Sequence, residues 1–253
     1  MINIYTEKEI AIMAEGGKIL ARIMKELTKK VMPGITTKYL DKVAEGLIFR
    51  FGAKPAFKGF NNYPAVLCTS INEEIVHAVP SKRVLKNGDI LTLDLGIKFP
   101  ANGTSKGYYT DMAITLAIGK IDKKTQKLIA VTKKALEIAI KQCKSGNHLG
   151  DIGWAIQKHT EKNGFNVIQD LVGHGIGKSV HEDPQILNYG TKGTGPELAE
   201  GMVLAIEPMI CIGDYEIEKC PDGFAYCTKD HSLSAHFEHT VAITKKGAKV
   251  LTK

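Results

Sequence analysis

The chain has 253 residues, 43% of them hydrophobic and 24% charged, with 34 Lys plus Arg against 27 Asp plus Glu for a net charge of +7. That balance excludes disordered, fibrous and collagenous classes and allows one sizeable core; no run approaches the roughly 18 apolar residues of a membrane span, and Glu7, Glu9 and Glu15 break up any signal-peptide pattern. Cys68, Cys143, Cys211, Cys220 and Cys227 are odd in number, scattered and without a C-x-x-C pair, so they are expected to be reduced thiols in a cytoplasmic protein.

Thr6-x-x-Glu9 is a capping-box pattern opening a helix with Ile10, Met13, Ile19, Ile23 and Met24 on one broad apolar face. A second helix is predicted from about Thr37 to Phe51, ended by Gly52 in a left-handed cap. Asn87-Gly88 marks a tight turn, and Ile90 to Phe99 and Thr110 to Ile118 read as strands. Asp122 opens a third helix to about Cys143, and a fourth runs from about Leu149 to Asn163 and closes at Gly164. Gly201 to Ile212 and Leu233 to Thr244 are the remaining predicted strands.

The two halves echo each other. Gly34 and Gly52 recur as Gly146 and Gly164, both at an offset of 112; V-H-x-x-P occurs at 76 to 80 and 180 to 184; and LKNGDILTLD at 85 to 94 matches LAEGMVLAIE at 198 to 207, at an offset of 113. With no Ser-rich or Pro-rich linker between them, the halves (about 1–120 and 121–253) are expected to form one α+β domain over residues 1–253. Its expected form is two helix-pair-plus-strand units around a shared antiparallel sheet with pseudo-twofold symmetry.

Strand parity isolates four acids. Asp94 shares a face with Thr92 and Gly96, while Leu91, Leu93, Leu95 and Ile97 fill the other; Asp111 lies with Ala113 and Thr115, Glu207 with Val203 and Ala205, and Glu238 with His236 and Thr240. One such acid is an ordinary outward-facing residue. Four, with Asp94 and Glu207 at equivalent places in the repeat, point to convergence on cations, because carboxylates that share a desolvated site repel one another. Two divalent metals would balance the four negative charges, and hard oxygen ligands with one imidazole suit Mn, Fe, Co or Zn. His174, between Gly173 and Gly175, is the candidate imidazole; no dinucleotide-binding unit surrounds that glycine string, and its glycines would let backbone approach a metal closely. His77 and His181, the repeat-related pair, are candidate proton carriers or hydrogen-bond donors.

The ordered motifs SINEEIVHAVP, LTLDLG, YYTDMA, LVGHGIGKSVHEDP, LAIEPM and TKDHSLSAHFEHTVAIT resemble those of the type I methionine aminopeptidases across essentially the whole chain. The resemblance implies the pita-bread fold, a methionyl aminopeptidase activity acting on nascent chains, and two divalent ions (Co, Mn, Fe or Zn). It implies that Asp94 binds the second metal, Asp111 and Glu238 bridge both, and His174 and Glu207 complete the first. Glu207, His77 and His181 would carry the chemistry, with His77 and His181 also contacting substrate. Phe60, Tyr63, Cys68, Met209 and Phe224 would line the methionine pocket, where Phe57, Val180 and Phe224 replace an expected cysteine, phenylalanine and tryptophan. The 17 residues from Asp94 to Asp111 imply a longer hairpin tip, FPANGTSKGYY.

The short interval from Glu207 to Glu238 and the start directly at the first helix, without a zinc-binding extension, fit type I. An Xaa-Pro peptidase is the alternative within the fold, disfavoured because those enzymes usually carry a substantial N-terminal domain; a non-catalytic pita-bread protein binding ribosomes or nucleic acid is the alternative of another class, disfavoured because all five ligands are present. The expected partners are peptide N-termini beginning with Met, with no membrane, and the expected state is a monomer. The excess lysines read first as a solvated surface and second as a route to ribosomal RNA.

Overall fold

The computed structural model describes residues 1–101 and 107–253. The first half comprises α1 (Glu7–Thr28), α2 (Thr37–Arg50), β1 (Lys54–Pro55), β2 (Cys68–Ile71), β3 (Glu74–Val76), β4 (Ile90–Phe99) and β5 (Tyr108–Ala117). The second comprises α3 (Lys123–Gln142), α4 (Leu149–Lys162), β6 (Asn166–Val167), β7 (Gly173–Gly175), β8 (Glu182–Ile186), β9 (Val203–Ile206), β10 (Met209–Cys211), β11 (Ile217–Lys219), β12 (Tyr226–Thr228), β13 (Ser234–His236), β14 (His239–Thr244) and β15 (Gly247–Val250). No helix among the described residues is long and apolar enough to cross a membrane.

Local chemistry sets the helix ends. Thr6 Oγ1 accepts from the Glu9 amide while the Glu9 carboxylate accepts from the Thr6 amide at 2.8 Å, so two donors at the start of α1 are satisfied reciprocally. Asp122 Oδ1 accepts from the amides of Lys124 and Thr125 and starts α3. Gly52 and Gly164 follow α2 and α4 with φ of 71° and 80°, the left-handed conformation expected of them.

Each helix pair covers the strands of its own half. Leu20, Ile23, Leu40 and Ile48 pack with Leu91, Leu93, Leu95 and Ile97, which sends Asp94 to the opposite face of β4. Leu128, Ala135, Ile152 and Ile156 pack with Leu204, Ile206, Val241 and Ile243. The duplication is visible in single hydrogen bonds: Gly34 N donates to Leu85 O and Gly146 N to Leu198 O, while Leu85 N donates to Ile35 O and Leu198 N to Asn147 O. Thr37 to Arg83 and Leu149 to Pro196 repeat the pattern once more.

Among the described residues all strand pairs are antiparallel, and the strands form four hydrogen-bonded sheets, with orders β1-β4-β2 (β5 beside β4), β13-β10-β6, β11-β12-β3 and β15-β14-β9-β7-β8. The strands expected over Gly201 to Ile212 and Leu233 to Thr244 are each interrupted, at 207–208 and 237–238. The breaks face each other, Phe237 N donating to Pro208 O, and there the chain passes from the five-stranded sheet to β10 and β13. Pro208 lacks the amide needed to continue the β9 ladder.

The halves meet through two matched threonine clamps. Thr240 Oγ1 accepts from Asp111 N at 2.9 Å and donates to Asp111 O at 2.8 Å; Thr115 Oγ1 accepts from His236 N at 2.9 Å and donates to His236 O at 2.8 Å. Between them Glu238 N donates to Ala113 O at 2.9 Å.

The expectation of five reduced thiols is corrected at one pair. Cys220 and Cys227 form a disulfide, because the β11–β12 pairing brings their Cα atoms to 5.7 Å, while Cys68, Cys143 and Cys211 are free and buried. The longer hairpin tip expected between Phe99 and Tyr108 involves residues 102–106, which lie outside the described residues.

Thr240→Val should leave the buried Asp111 amide without its partner, which costs about 1–3 kcal/mol. The expected outcome is a melting temperature lowered by several degrees, measured by differential scanning calorimetry; an unchanged transition would contradict the clamp.

Candidate active site

Asp94 and Asp111 arrive from one hairpin. In the β4–β5 register Asp94 opposes Ala113 and Gly96 opposes Asp111, so the two acids are diagonal neighbours on one face whatever the length of the tip. Gly96 is required there because a Cβ would meet the ring of Phe57 and the methyl of Ala56. His174 comes from β7, Glu207 from the break after β9 and Glu238 from the break before β14. The two glutamates therefore stand at strand ends, not inside continuous strands as expected, and are freed from strict alternation.

The glycines beside His174 serve the sheet. A Cβ on Gly173 would strike Ala205 O and one on Gly175 would strike Asp183 O, so β7 fits between β9 and β8 only without side chains at those positions. Their nearest neighbours are strand backbones, and a Cβ on Gly173 would also lie 3.4 Å from Cγ of Glu207. His174 Nδ1 lies 2.9 Å from Gly175 O, an acceptor only; that ring nitrogen carries the proton and Nε2 presents a lone pair. Nε2 is 3.5 Å from Glu207 Oε1.

One ligand atom from each of Asp111, His174 and Glu238 lies within 4.8 Å of the other two. Asp94, Asp111 and Glu238 are 7%, 4% and 2% exposed. Asp94 Oδ1, Asp111 Oδ1 and Glu238 Oε1 are buried with no hydrogen-bond partner. Burial raises all four carboxyls above their ordinary range, and the charge of Asp111 raises those of Asp94, Glu207 and Glu238 further. Burial also holds the His174 imidazole down, to about 3, keeping it neutral. Orphaned, mutually repelling carboxylate oxygens beside a neutral imidazole lone pair fit hard divalent cations, and the donor set leaves the choice of metal open.

These groups line a cavity of about 830 Å³. Its walls include His77, His181, Phe57, Phe60, Tyr63, Cys68, Met209, Phe224 and Tyr226, so every sequence-predicted catalytic, pocket and metal residue is brought to one site. The Tyr63 and Phe224 rings meet edge to face at 5.5 Å, and Phe60 meets His181 at 5.2 Å. Val180 is buried behind this wall with Ala56, Phe57, Tyr63 and Cys68. His181 stacks edge-on to His174 at 4.4 Å between ring centres. Both His77 and His181 keep an exposed edge in the cavity, and burial of the rest of each ring lowers the pKa of both imidazoles below the ordinary histidine value.

His77 adopts φ of 62°, unusual for a residue with a Cβ. The chain on either side is tied down: Val76 pairs with Tyr226, Ala78 O accepts from Thr69 N, and Val79 N donates to Asp222 Oδ2 at 3.0 Å. Sequence reasoning missed His236, which is 1% exposed with Nε2 3.4 Å from Glu207 Oε2. Its shared parity with Glu238 was the available signal.

The raised carboxyls have a consequence for stability. A carboxyl whose folded pKa lies above its unfolded value stabilises the fold fully only below the unfolded value, and that stability is lost as pH rises through the folded value. Metal-free Glu238→Gln should therefore melt higher than metal-free wild type at pH 8, and the gap should narrow as pH falls toward 5. A gap that widens on acidification would contradict the buried-charge account.

The chain matches the model of metallopeptidase family M24 over residues 11–245. It is 46% identical to the methionine aminopeptidase of Clostridium acetobutylicum, over 100% of this chain and 99% of that protein. The crystal structure of the methionine aminopeptidase of Thermotoga maritima superposes with a TM-score of 0.95 at 45% identity, covering 100% of both chains. The prolidase of Pyrococcus horikoshii shares the fold alone, with a TM-score of 0.78 at 24% identity over 99% of this chain and 63% of that one. With its pita-bread architecture and its buried acid and histidine cluster, the chain belongs to metallopeptidase family M24.

Proposed function

We propose that this protein hydrolyses the first peptide bond of chains that begin with methionine, removing the initiator residue and favouring a small second residue. The observation that carries this reading is the convergence of Asp94, Asp111, His174, Glu207 and Glu238 on the floor of a cavity whose walls include Phe60, Tyr63, Cys68, Met209 and Phe224. It is supported by full-length similarity to proteins named methionine aminopeptidase. The Xaa-Pro reading has support only from likeness of fold.

Residues 1–253 act as one catalytic domain, since each half supplies part of the site. Asp94, Asp111, His174, Glu207 and Glu238 hold two divalent ions, with Co, Mn, Fe and Zn as candidates. When bound, such ions supply Lewis acidity and let water act as a nucleophile near neutral pH. The free α-amine of the substrate binds beside Asp94, which favours an exopeptidase. Glu207 accepts the proton of the attacking water and returns it to the leaving amine, a general acid–base role that contributes typically 10²- to 10⁴-fold. His77 and His181 aim donors at the oxygen that gains charge, a contribution of about 3 kcal/mol for a preorganised donor. The apolar wall receives the thioether side chain.

Full-length protein supplied with a divalent ion should release free methionine from Met-Ala-Ser, and a chelator should abolish the release. Norleucine-Ala-Ser should be cleaved slowly, because a hydrophobic pocket discriminates only about 1–3 kcal/mol per methylene, and Lys-Ala-Ser not at all. Equal turnover of the Met and Lys peptides would refute the assignment.

The setting we propose is cytoplasmic, as a monomer acting on chains emerging from ribosomes. The +7 charge offers the route to ribosomal RNA, and such contacts weaken steeply with salt. Co-sedimentation with ribosomes should be present at low salt and lost by a few hundred millimolar, while tripeptide cleavage changes far less. Binding indifferent to salt, or absent at the lowest salt, would remove the electrostatic account.

A further inference from the structure

Glu207 sits between two imidazoles, and the two present opposite faces to it. His174 turns its lone pair toward Oε1 at 3.5 Å, because its only ring proton is directed at Gly175 O. A carboxylate oxygen and a lone pair repel, so this side of Glu207 is arranged for a cation. His236 lies on the other side, with Nε2 3.4 Å from Oε2. Neither ring nitrogen of His236 has a hydrogen-bond partner among the described residues, and the side chain is 1% exposed, so water does not compete for it. A neutral imidazole has one N–H and one lone pair, and a carboxylate only accepts. The tautomer with its proton on Nε2 is the one that matches Glu207.

The fold holds this ring in place for a reason rooted in the duplication. His236 and Asp111 are exchanged by the matched clamps: Thr240 grips the backbone of Asp111 and Thr115 grips the backbone of His236, both through an accepting and a donating hydroxyl. The pseudo-twofold that delivers Asp111 to the acidic floor thus delivers position 236 to the same floor from the other half. The pairing of His236 with Met209 fixes the register of β13 against β10, two residues beyond Glu207.

We infer that His236 is a positioning residue whose Nε2–H, 3.4 Å from Oε2 of Glu207, closes to a hydrogen bond when a cation is bound, so that Oε1 stays turned toward the cation side beside His174. The inference rests on the reading of this floor as a divalent-ion site for peptide hydrolysis, and it assigns the two oxygens of Glu207 different duties. An unheld carboxylate would swing away from its charged neighbours, and partners of this kind typically change metal affinity 10- to 100-fold.

The test compares His236→Leu, which removes the donor at similar volume, with His236→Gln, whose amide nitrogen reaches the place of Nε2. Mn²⁺ is titrated calorimetrically into the metal-free full-length chain, and kcat and KM are measured on Met-Ala-Ser. His236→Leu should bind Mn²⁺ about 10- to 100-fold more weakly, with kcat reduced and KM nearly unchanged, and His236→Gln should restore both affinity and kcat. His236→Asn, polar but too short to reach Oε2, should behave like His236→Leu, which keeps the test informative if the leucine variant fails to fold. Wild-type affinity in the leucine or asparagine variant would overturn the inference. So would equal loss in His236→Gln and His236→Leu, since the imidazole itself and not a donor would then be needed. If the wild type binds Mn²⁺ but releases no methionine, the proposed function fails while the calorimetric comparison still judges His236.

Discussion

Four carboxylates are held together away from water, and that electrostatic cost governs the rest of the molecule. Asp94, Asp111 and Glu238 are nearly inaccessible, each with an oxygen lacking a hydrogen-bond donor. A fold without a cation would avoid such an arrangement by letting the side chains swing to solvent or by supplying amide donors. Neither happens, because the backbone beneath each acid is fixed before the side chain is considered: Asp111 by Thr240, Glu238 by Ala113, and Asp94 by the central position of β4 between β2 and β5. The local repulsion is sustained by rigidity built from apolar packing on the far faces of the same strands.

Duplication supplies that rigidity economically. One helix pair and its strands make a layer with one oily face, and two such layers joined back to back leave an interface polar enough for threonines and acids. The symmetry is then broken where chemistry requires it. Glu207 occupies the place of Asp94 in the repeat but stands at a strand break, and His236 answers Asp111 across the clamps with a ring instead of a carboxylate. Two similar scaffolds thereby carry different side chains toward a common point.

Features encoded by neighbouring residues were the legible ones. Thr6 with Glu9, Asp122, Gly52 and Gly164 announce helix ends because their interactions span only a few residues. The alternation around Asp94 was readable because β4 is flanked on both sides and keeps period two from Leu91 to Phe99. The breaks at 207–208 and 237–238 were harder. Pro208 carried a signal that the strand should end, whereas nothing beside Phe237 did, and its break is imposed by the facing chain. The Cys220–Cys227 bond escaped for a related reason, since it depends on a hairpin register and not on a spacing motif. His236 was visible as a residue sharing a face with Glu238, but its meeting with Glu207 depends on two chain crossings that no local pattern records.

The division of the acidic floor between halves has a thermodynamic corollary. Asp94 and Asp111 belong to the first half, His174, Glu207 and Glu238 to the second, and residues 118–122 connect them. Neither half alone carries all five of these side chains, so the connecting segment works as a tether that sets the effective concentration of one set of ligands around the other. Cation affinity and cohesion of the halves are then a single coupled quantity: whatever tightens the ion tightens the seam, and a strained seam loosens the ion by the same factor. A chain cut in this connector would still hold every ligand, yet its hold on the ion would depend on protein concentration.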